Sequence, residues 1–183
     1  MPTLTVIAGP NGSGKSTLSR SVDFEGRRRL LDPDMIARRL NPSDPSAGAI
    51  AAGREVLKRT ADYLLRGVSF AIETTLSSRN RLELIRKAKF GGYTIHLVFV
   101  GLDSPERCIT RIRNRAALGG HLIPDADVRR RYARSVANAA QALRLADMAG
   151  FYDNSGDSPR LVLSAKAGKV VWQTEPTPEW VKL

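Results

Sequence analysis

The chain has 183 residues, and its 29 Lys plus Arg against 18 Asp plus Glu give a formal net charge of +11. Hydrophobic residues make up 42% of it and charged residues 26%, which is ordinary for a globular domain. The single cysteine excludes an intramolecular disulfide framework. The sequence contains neither a signal-peptide pattern nor an apolar run of membrane-spanning length, so we expect a cytoplasmic location and no membrane partner.

The excess of positive charge, most of it arginine in clusters, predicts an anionic partner. A small phosphorylated ligand and a nucleic acid both satisfy that requirement. Aromatic residues are only 6% of the chain and do not interleave with the basic clusters, which argues against a stacking platform for single strands. We therefore expect a small anionic substrate and keep a nucleic-acid partner as the alternative.

Predicted strands and helices alternate along the chain. The predicted strands cover residues 3–8, 29–32, 68–73 and 93–102, followed by short ones at 151–153, 161–164 and 170–173. The predicted helices cover residues 15–22, 34–40, 47–65, 79–90, 105–118 and 125–150. This alternation favours an α/β fold with a central, mostly parallel sheet and helices on both faces. We expect one domain over residues 1–183, with a short C-terminal hairpin and tail at about 158–183.

A glycine-rich turn after the first strand matches the phosphate-binding loop pattern Gly-x-x-x-x-Gly-Lys-Ser at residues 9–16. Its glycines let backbone N–H groups surround a phosphate, and the following helix points its positive dipole end at the same place. In this pattern Lys15 reaches the β- and γ-phosphates of ATP, and the Ser16 hydroxyl ligates Mg²⁺. The predicted nucleotide-binding residues are Gly9, Pro10, Asn11, Gly12, Ser13, Gly14, Lys15, Ser16 and Thr17.

Other motifs decide which class of phosphate-loop protein this is. The guanine-reading Asn-Lys-x-Asp of switch GTPases is absent, and so is the Leu-Ser-Gly-Gly-Gln-like signature of transporter ATPases. Residues 147–150 fit a short Asp-x-x-Gly switch pattern, but they are predicted to end a helix and are interpreted as coincidence. The small kinases remain, a class that combines a substrate-orienting carboxylate, a polar strand end and an arginine-bearing lid.

Carboxylates follow the second and third predicted strands, at the edge of a parallel sheet where ligands bind. Asp34 is the predicted catalytic base, because Asp32 is the better placed of the two to cap the next helix. The alternative is that Asp34 itself only caps that helix. Glu73 and Thr75 are predicted to orient the substrate or to support Mg²⁺, with a solvated strand end as the alternative.

A helix rich in arginine supplies the predicted lid. Arg111 and Arg115 share a helix face and are predicted to clamp the transferring phosphoryl group, whereas Arg113 lies on the other flank. Gly119-Gly120 would act as a hinge, and His121 beyond it is predicted to contact phosphate or to be an ordinary loop residue. A solvated arginine face is the alternative for the whole group.

Four segments resemble the zeta-toxin family of P-loop kinases and follow one another in that family's order. They are AGPNGSGKST in the glycine-rich turn, LDPDMIARRLNP after the second strand, FAIETTLSS at the third, and RIRNRAALGGHLIPDADVRRRY across the lid. The likeness spans about residues 3–156. The Pro-Asn pair in the loop and the Gly-Gly-His-x-x-Pro element look especially like the small single-domain members.

The resemblance implies an ATP- and Mg²⁺-dependent kinase that phosphorylates a hydroxyl of UDP-N-acetylglucosamine or a related anionic metabolite. For a toxin it also implies an antitoxin protein as partner. The corresponding catalytic residues are Lys15, Asp34, Arg111 and Arg115, the substrate-binding residues are Asp34, Glu73, Thr75 and His121, and the metal ligand is Ser16. The chain is shorter than the longer toxins, and His121 stands near the place of their second lid arginine, which leaves the acceptor open. A nucleic-acid-directed kinase or ATPase and a regulatory ATP-binding module are the rival hypotheses.

Overall fold

A computed structural model describes residues 1–45, 47–120 and 122–182 of the chain. Seven strands form one sheet with the spatial order β2-β3-β1-β4-β5-β6-β7. The strands are β1 Thr3–Ala8, β2 Leu30–Leu31, β3 Phe70–Thr74, β4 Thr94–Gly101, β5 Met148–Asp153, β6 Arg160–Lys166 and β7 Lys169–Gln173. The helices are α1 Lys15–Ser21, α2 Pro33–Leu40, α3 Ala49–Arg66, α4 Arg79–Phe90, α5 Pro105–Ala117 and α6 Asp125–Leu145. A single 3₁₀ turn covers Arg27–Arg29 between α1 and β2.

The sheet is mostly parallel. The first five strands in chain order pair in parallel, and only β6 and β7 join antiparallel at one edge. Because β1 lies between β3 and β4, the residues that follow these strands meet at one edge of the sheet. The predicted α/β fold with a central, mostly parallel sheet and flanking helices is confirmed.

The central strands are buried, as their near-continuous apolar sequences predict. All six residues of β1 are buried, and so are all five of β3. The largest buried side chains include Phe70, Phe99 and Phe151, which belong to one cluster with side chains of the surrounding helices. Burial of this kind contributes on the order of 25 cal/mol per Å² of apolar surface and holds the strand ends in fixed positions.

Helix starts follow local capping rules. The Ser104 hydroxyl accepts a hydrogen bond from the Arg107 N–H at the start of α5, where Pro105 occupies the first turn. Asp32 does the same for α2, since its carboxylate accepts from the N–H groups of Asp34 and Met35. The described residues include no helix long and apolar enough to cross a membrane.

The prediction for residues 125–150 is wrong at its end. Helix α6 stops at Leu145, and Met148 already begins β5. The Asp147 carboxylate accepts a hydrogen bond from the Ile95 N–H at 2.8 Å. This bond ties Asp147 to the start of β4 and so marks the end of the helical segment. Residues 147–150 therefore lead into a strand instead of ending a helix, and Asp147 lies at the sheet edge opposite the glycine-rich turn.

The chain after β5 extends the same sheet. The predicted hairpin is confirmed, with β6 and β7 paired antiparallel across the turn at Ala167 and Gly168. Beyond it, the Trp180 ring is 4% exposed and stacks on Phe99, with ring centroids 5.7 Å apart. Its indole N–H donates to the Asp153 carboxylate at 3.2 Å, so the C-terminal tail contacts the end of β5.

Candidate nucleotide and phosphate site

The glycine-rich turn lies between the end of β1 and the start of α1, at the carboxyl edge of the parallel strands. Gly14 precedes α1 with φ +95°, a left-handed conformation that side chains rarely adopt. Gly9 has φ +143°, and a Cβ there would meet the Val100 carbonyl oxygen at 2.1 Å. These positions favour glycine, as in loops whose successive backbone N–H groups bind phosphate.

The side chain of Lys15 bends back over the loop. It is 8% exposed, and its ammonium donates to the Pro10 carbonyl oxygen at 2.8 Å. Burial lowers the pKa of Lys15, whereas the nearby carboxylates of Glu73 and Asp34 act in the opposite direction. The ammonium is thus held among loop carbonyls and carboxylates, where an incoming phosphate would add negative charge and favour its protonated form.

Ser16 and Glu73 join the loop to the end of β3. The Ser16 hydroxyl donates to Glu73 Oε1 at 2.7 Å, and the Glu73 carboxylate is buried beside it. Burial raises the pKa of Glu73, and the nearby Lys15 charge only partly opposes that effect. The second carboxylate oxygen, Oε2, is buried and has no hydrogen-bond partner among the described residues.

These features fit Mg²⁺. A hydroxyl and a carboxylate with an unpaired buried oxygen form a donor set of hard oxygen ligands, which Mg²⁺ prefers together with water and phosphate oxygens. Ser16 could hold the ion directly, and Glu73 could hold it directly or through water. The Ser13 hydroxyl is also buried without a partner in the described part of the chain, and it could donate to a phosphate oxygen.

Asp32 and Asp34 differ in what they contact. One oxygen of the Asp32 carboxylate, Oδ1, accepts from the first turn of α2, at 2.9 Å from the Asp34 nitrogen and 3.3 Å from the Met35 nitrogen. The Asp34 side chain is exposed. Both aspartates lie close enough to act electrostatically on Lys15 and Glu73, so the structure brings Asp34 to the same side of the loop. Of the two, Asp34 has the more exposed carboxylate, and neither of its oxygens accepts a hydrogen bond among the described residues.

The segment after β3 is rigidly held. Leu76 is fully buried and has φ +55°, an unusual conformation for a leucine. The Asn138 amide donates to its carbonyl oxygen at 2.7 Å and fixes it from α6. Thr75 and Ser77 share a hydroxyl hydrogen bond of 2.8 Å and remain partly accessible. Thr75 therefore presents its hydroxyl on a fixed turn adjacent to Glu73.

The two lid arginines are in different surroundings although they share a helix. Arg111 is half-buried and donates to the Asn154 carbonyl oxygen at 2.8 Å, which turns it toward the segment after β5. Arg115 is exposed, and its guanidinium makes no hydrogen bond or ion pair within the described residues. Arg113 pairs with Asp125 at 2.6 Å. His121 lies outside the described residues.

Sequence reasoning missed two side chains, one that contacts the loop and one at the start of α4. The Asn154 amide donates to the Ser13 carbonyl oxygen at 2.8 Å, across 141 positions of sequence, so no local pattern indicates it. Arg81, in the first turn of α4, is half-buried, and burial lowers its pKa. The sequence did offer a signal for Arg81, because it is a cationic residue that follows the Glu73-Thr-Thr turn by a few positions. Cys108 is buried, and burial raises the pKa of its thiol to about 12, which favours the protonated form.

Sequence comparison gives the family. A family model described as an AAA domain (AAA_33) matches residues 4–147, which is most of the chain. The chain belongs to this AAA-domain family. An uncharacterized protein of Haemophilus influenzae (strain Rd) is 36% identical over 124 residues, which cover 68% of this chain and 88% of that protein.

Solved structures with this AAA-domain fold are more distant in sequence. A chain of AvrRxo1-ORF1:-ORF2 crystallised with ATP has a TM-score of 0.66 at 15% identity, and the match covers 93% of this chain but 60% of that one. A structure of PezAT, a chromosomal toxin-antitoxin system of Streptococcus pneumoniae, has a TM-score of 0.61 at 18% identity and covers 92% and 74%. The chain thus spans about 60% of the length of the AvrRxo1 chain. At these identities the likeness shows the fold alone, which is the P-loop NTPase fold of the AAA-domain family.

Proposed function

We propose that residues 1–183 act as a single ATP-dependent kinase domain that transfers the γ-phosphate to a hydroxyl of a small anionic acceptor. The observation that supports this most directly is the contact between Ser16 and Glu73 at 2.7 Å, next to the buried ammonium of Lys15. A metal-ligating hydroxyl, a carboxylate and a phosphate-binding lysine converge there at the end of parallel strands. That arrangement serves phosphoryl transfer, in which catalysis is mostly positioning and charge stabilisation.

In this proposal residues 9–17 bind ATP. Backbone N–H groups of the loop and the start of α1 hold the phosphates, and Lys15 contacts the β- and γ-phosphates. Ser16 would ligate Mg²⁺, and Glu73 would hold the ion directly or through water. The ion would neutralise the charge of the phosphates. Asn11 and Ser13 line the loop, and Thr17 follows on the exposed side of the first helical turn.

Asp34 is the proposed base. Its exposed carboxylate accepts the hydroxyl proton of the acceptor while the acceptor oxygen bonds to the γ-phosphorus and the bond to the β–γ bridging oxygen breaks. ADP then leaves with that oxygen. Thr75 and Glu73 would orient the acceptor from the turn after β3, and His121 would contact it from beyond α5. Arg111 and Arg115 would neutralise the transferring phosphoryl group once the nucleotide draws them together.

UDP-N-acetylglucosamine or a related phosphorylated metabolite is the proposed acceptor. The zeta-toxin resemblance motivates this choice, and the toxin-antitoxin system among the similar structures supports it at the level of fold. The net charge of +11 supports an anionic acceptor in general. A sugar hydroxyl offers the nucleophile that a carboxylate such as Asp34 can activate.

The test is a mass measurement on acceptors. Purified protein is incubated with ATP, Mg²⁺ and a panel of sugar nucleotides, nucleosides and phosphorylated sugars, and each product is examined for the gain of one phosphate. We expect one class of acceptor to gain it, and we expect Asp34→Asn to reduce kcat by about 10²–10⁴-fold with little change in ATP binding. Asp62→Asn, which alters an exposed i,i+4 ion pair on α3, is the matched control.

Two results would contradict the proposal. Phosphorylation of no acceptor by a protein that binds ATP would favour a regulatory module instead. Equal activity of Asp34→Asn and the wild type would remove the assigned base.

We further propose that the protein acts as a toxin and has an antitoxin protein as partner. The support is the zeta-toxin resemblance together with the fold shared with a toxin-antitoxin structure. Expression in bacteria is expected to arrest growth, and Lys15→Ala is expected to relieve the arrest. Arrest of equal strength by Lys15→Ala would mean that the effect does not depend on nucleotide binding.

A nucleic-acid-directed kinase or ATPase is the second candidate, and the net charge of +11 is the observation that favours it. Such a protein would bind RNA or DNA with an affinity that falls steeply as salt rises. Fluorescence anisotropy with a labelled single strand at several salt concentrations measures this. Binding that persists at physiological salt would favour the second candidate over the small acceptor.

A further inference from the structure

A cavity of about 300 Å³ opens beside the phosphate loop between α1, the 3₁₀ turn, α2 and α3. Ser16 and Asp32 line it, so it is continuous with the site at which Ser16 meets Glu73. Leu30, Leu31 and Ile36 supply apolar walls. Its volume lies at the lower end of the roughly 300–1,000 Å³ that is typical of small-molecule sites.

The cavity is dominated by guanidinium groups. Six arginines line it, and all six are exposed to solvent: Arg20, Arg27, Arg28, Arg29, Arg39 and Arg59. Asp32 is the acidic residue among the lining residues, and its Oδ1 accepts hydrogen bonds from the N–H groups at the start of α2. Like charges this close repel one another, so the arrangement has a cost in the free protein that a bound anion would relieve.

Few of these arginines are neutralised by the protein itself. Arg59 pairs with Glu55 at 2.6 Å. Arg27 donates to the carbonyl oxygens of Val22 and Arg20, which fixes the 3₁₀ turn without cancelling any charge. Arg28 and Arg39 make no ion pair with a carboxylate anywhere in the described ranges, and both side chains are exposed. Planar guanidiniums without partners are suited to bidentate contacts with phosphate oxygens.

We infer that this cavity is the subsite that binds the phosphate or diphosphate group of the phosphorylated acceptor. The inference rests on the proposed function. It adds a second point at which the acceptor is held, besides the hydroxyl that receives the γ-phosphate. The acceptor's phosphate lies among the arginines, and its hydroxyl extends past Ser16 and Asp32 toward the γ-phosphate. The transfer then leaves the acceptor with one phosphate more, and ADP carries away the bridging oxygen.

The test separates the cavity from the phosphate loop. Inorganic pyrophosphate is titrated by calorimetry into protein saturated with Mg²⁺ and the non-hydrolysable analogue AMPPNP, which occupies the loop. The variant Arg28→Gln/Arg39→Gln removes two unpaired guanidiniums, and Arg130→Gln/Arg134→Gln on α6 removes the same charge from exposed positions elsewhere. We expect pyrophosphate to bind the wild type and the α6 variant, and to bind the cavity variant about tenfold more weakly for each guanidinium removed.

AMPPNP binding distinguishes the failure of this inference from that of the proposed function. If AMPPNP binds equally to all three proteins and pyrophosphate binds the cavity variant as well as the wild type, or binds none of them, the inference is wrong. If AMPPNP does not bind, the proposed function fails, and the same titration in a Lys15→Ala background still measures the cavity. A labelled RNA strand that binds the wild type but not the cavity variant, while pyrophosphate binds neither, would overturn the small acceptor in favour of nucleic acid. Circular dichroism checks that each variant is folded.

Discussion

The Asn154 side-chain amide donates to the Ser13 backbone carbonyl at 2.8 Å and so connects the end of β5 to the phosphate loop. Asn154 is in turn held by α5, because its carbonyl oxygen accepts a hydrogen bond from Arg111. The amide of this residue therefore contacts the loop, and its carbonyl contacts α5. The loop's shape depends on a residue that is distant in sequence.

Replacement of Asn154 by Ala is expected to loosen the loop. The buried Ser13 carbonyl would lose its partner, which costs about 1–3 kcal/mol of stability or of nucleotide binding. Calorimetric titration with Mg²⁺·AMPPNP and thermal unfolding measure both. Asn114→Ala, at an exposed position of α5, should change either quantity by no more than about 0.5 kcal/mol. Equal effects of the two variants would show that the contact with Ser13 has no role in binding.

Nucleotide binding in the presence of Mg²⁺ is expected to depend on pH through Glu73. Burial raises the pKa of this carboxyl above its ordinary range, so a larger fraction is protonated in the free protein at mildly acid pH. Protons compete with Mg²⁺ for the carboxylate, and affinity should therefore rise with pH and level off above the raised pKa. Calorimetry with Mg²⁺·AMPPNP across that range measures the effect.

The control for this prediction is Glu73→Gln. It keeps an acceptor for the Ser16 hydroxyl but removes the titrating group, so affinity should be weaker and the rise with pH should disappear. Glu83→Gln, on the exposed face of α4, should behave like the wild type. A pH dependence that survives in Glu73→Gln would have to come from another group.

The parts of the fold that local sequence determines were predicted well. Three elements each carry their own local signal. An apolar run indicates β1, a glycine pattern indicates the turn at residues 9–16, and 3.6-residue periodicity between breakers indicates the helix Arg79–Phe90. The choice of Asp34 over Asp32 also followed from a local rule, since Asp32 caps α2 as its position predicts.

The remaining features depend on contacts between distant segments. The end of α6 was misjudged because Asp147 is fixed by β4, some fifty positions earlier in the chain. The surroundings of Arg111 could not be predicted from helix spacing, which places it beside Arg115 but cannot reveal the Asn154 carbonyl. The arginine-lined cavity likewise combines short clusters from four elements, each of which resembles a solvated surface on its own.

Removal of the Trp180 ring is expected to destabilise the whole sheet. The ring is almost fully buried, stacks on Phe99 and Phe151, and donates to Asp153. Trp180→Ala should therefore cost about 3–5 kcal/mol in the free energy of unfolding, measured by denaturant titration. The matched control is Trp172→Ala on β7, where the side chain is 48% exposed, and its cost should be clearly smaller. Equal costs would mean that the tail does not contribute to the core.

Gly14 should tolerate no side chain, for two separable reasons. Its φ of +95° strains any other residue, and a Cβ there would lie 2.3 Å from the Asn154 amide nitrogen. Gly14→Ala is thus expected to abolish Mg²⁺·AMPPNP binding, and adding Asn154→Ala should relieve the clash but not the backbone strain. Gly53→Ala is the control, since that glycine lies inside α3 with nothing within 4 Å of the added Cβ and should stabilise the protein by about 0.4–1 kcal/mol. Full recovery of binding in the Gly14→Ala/Asn154→Ala variant would show that the clash alone, and not the left-handed backbone, makes glycine necessary at the start of α1.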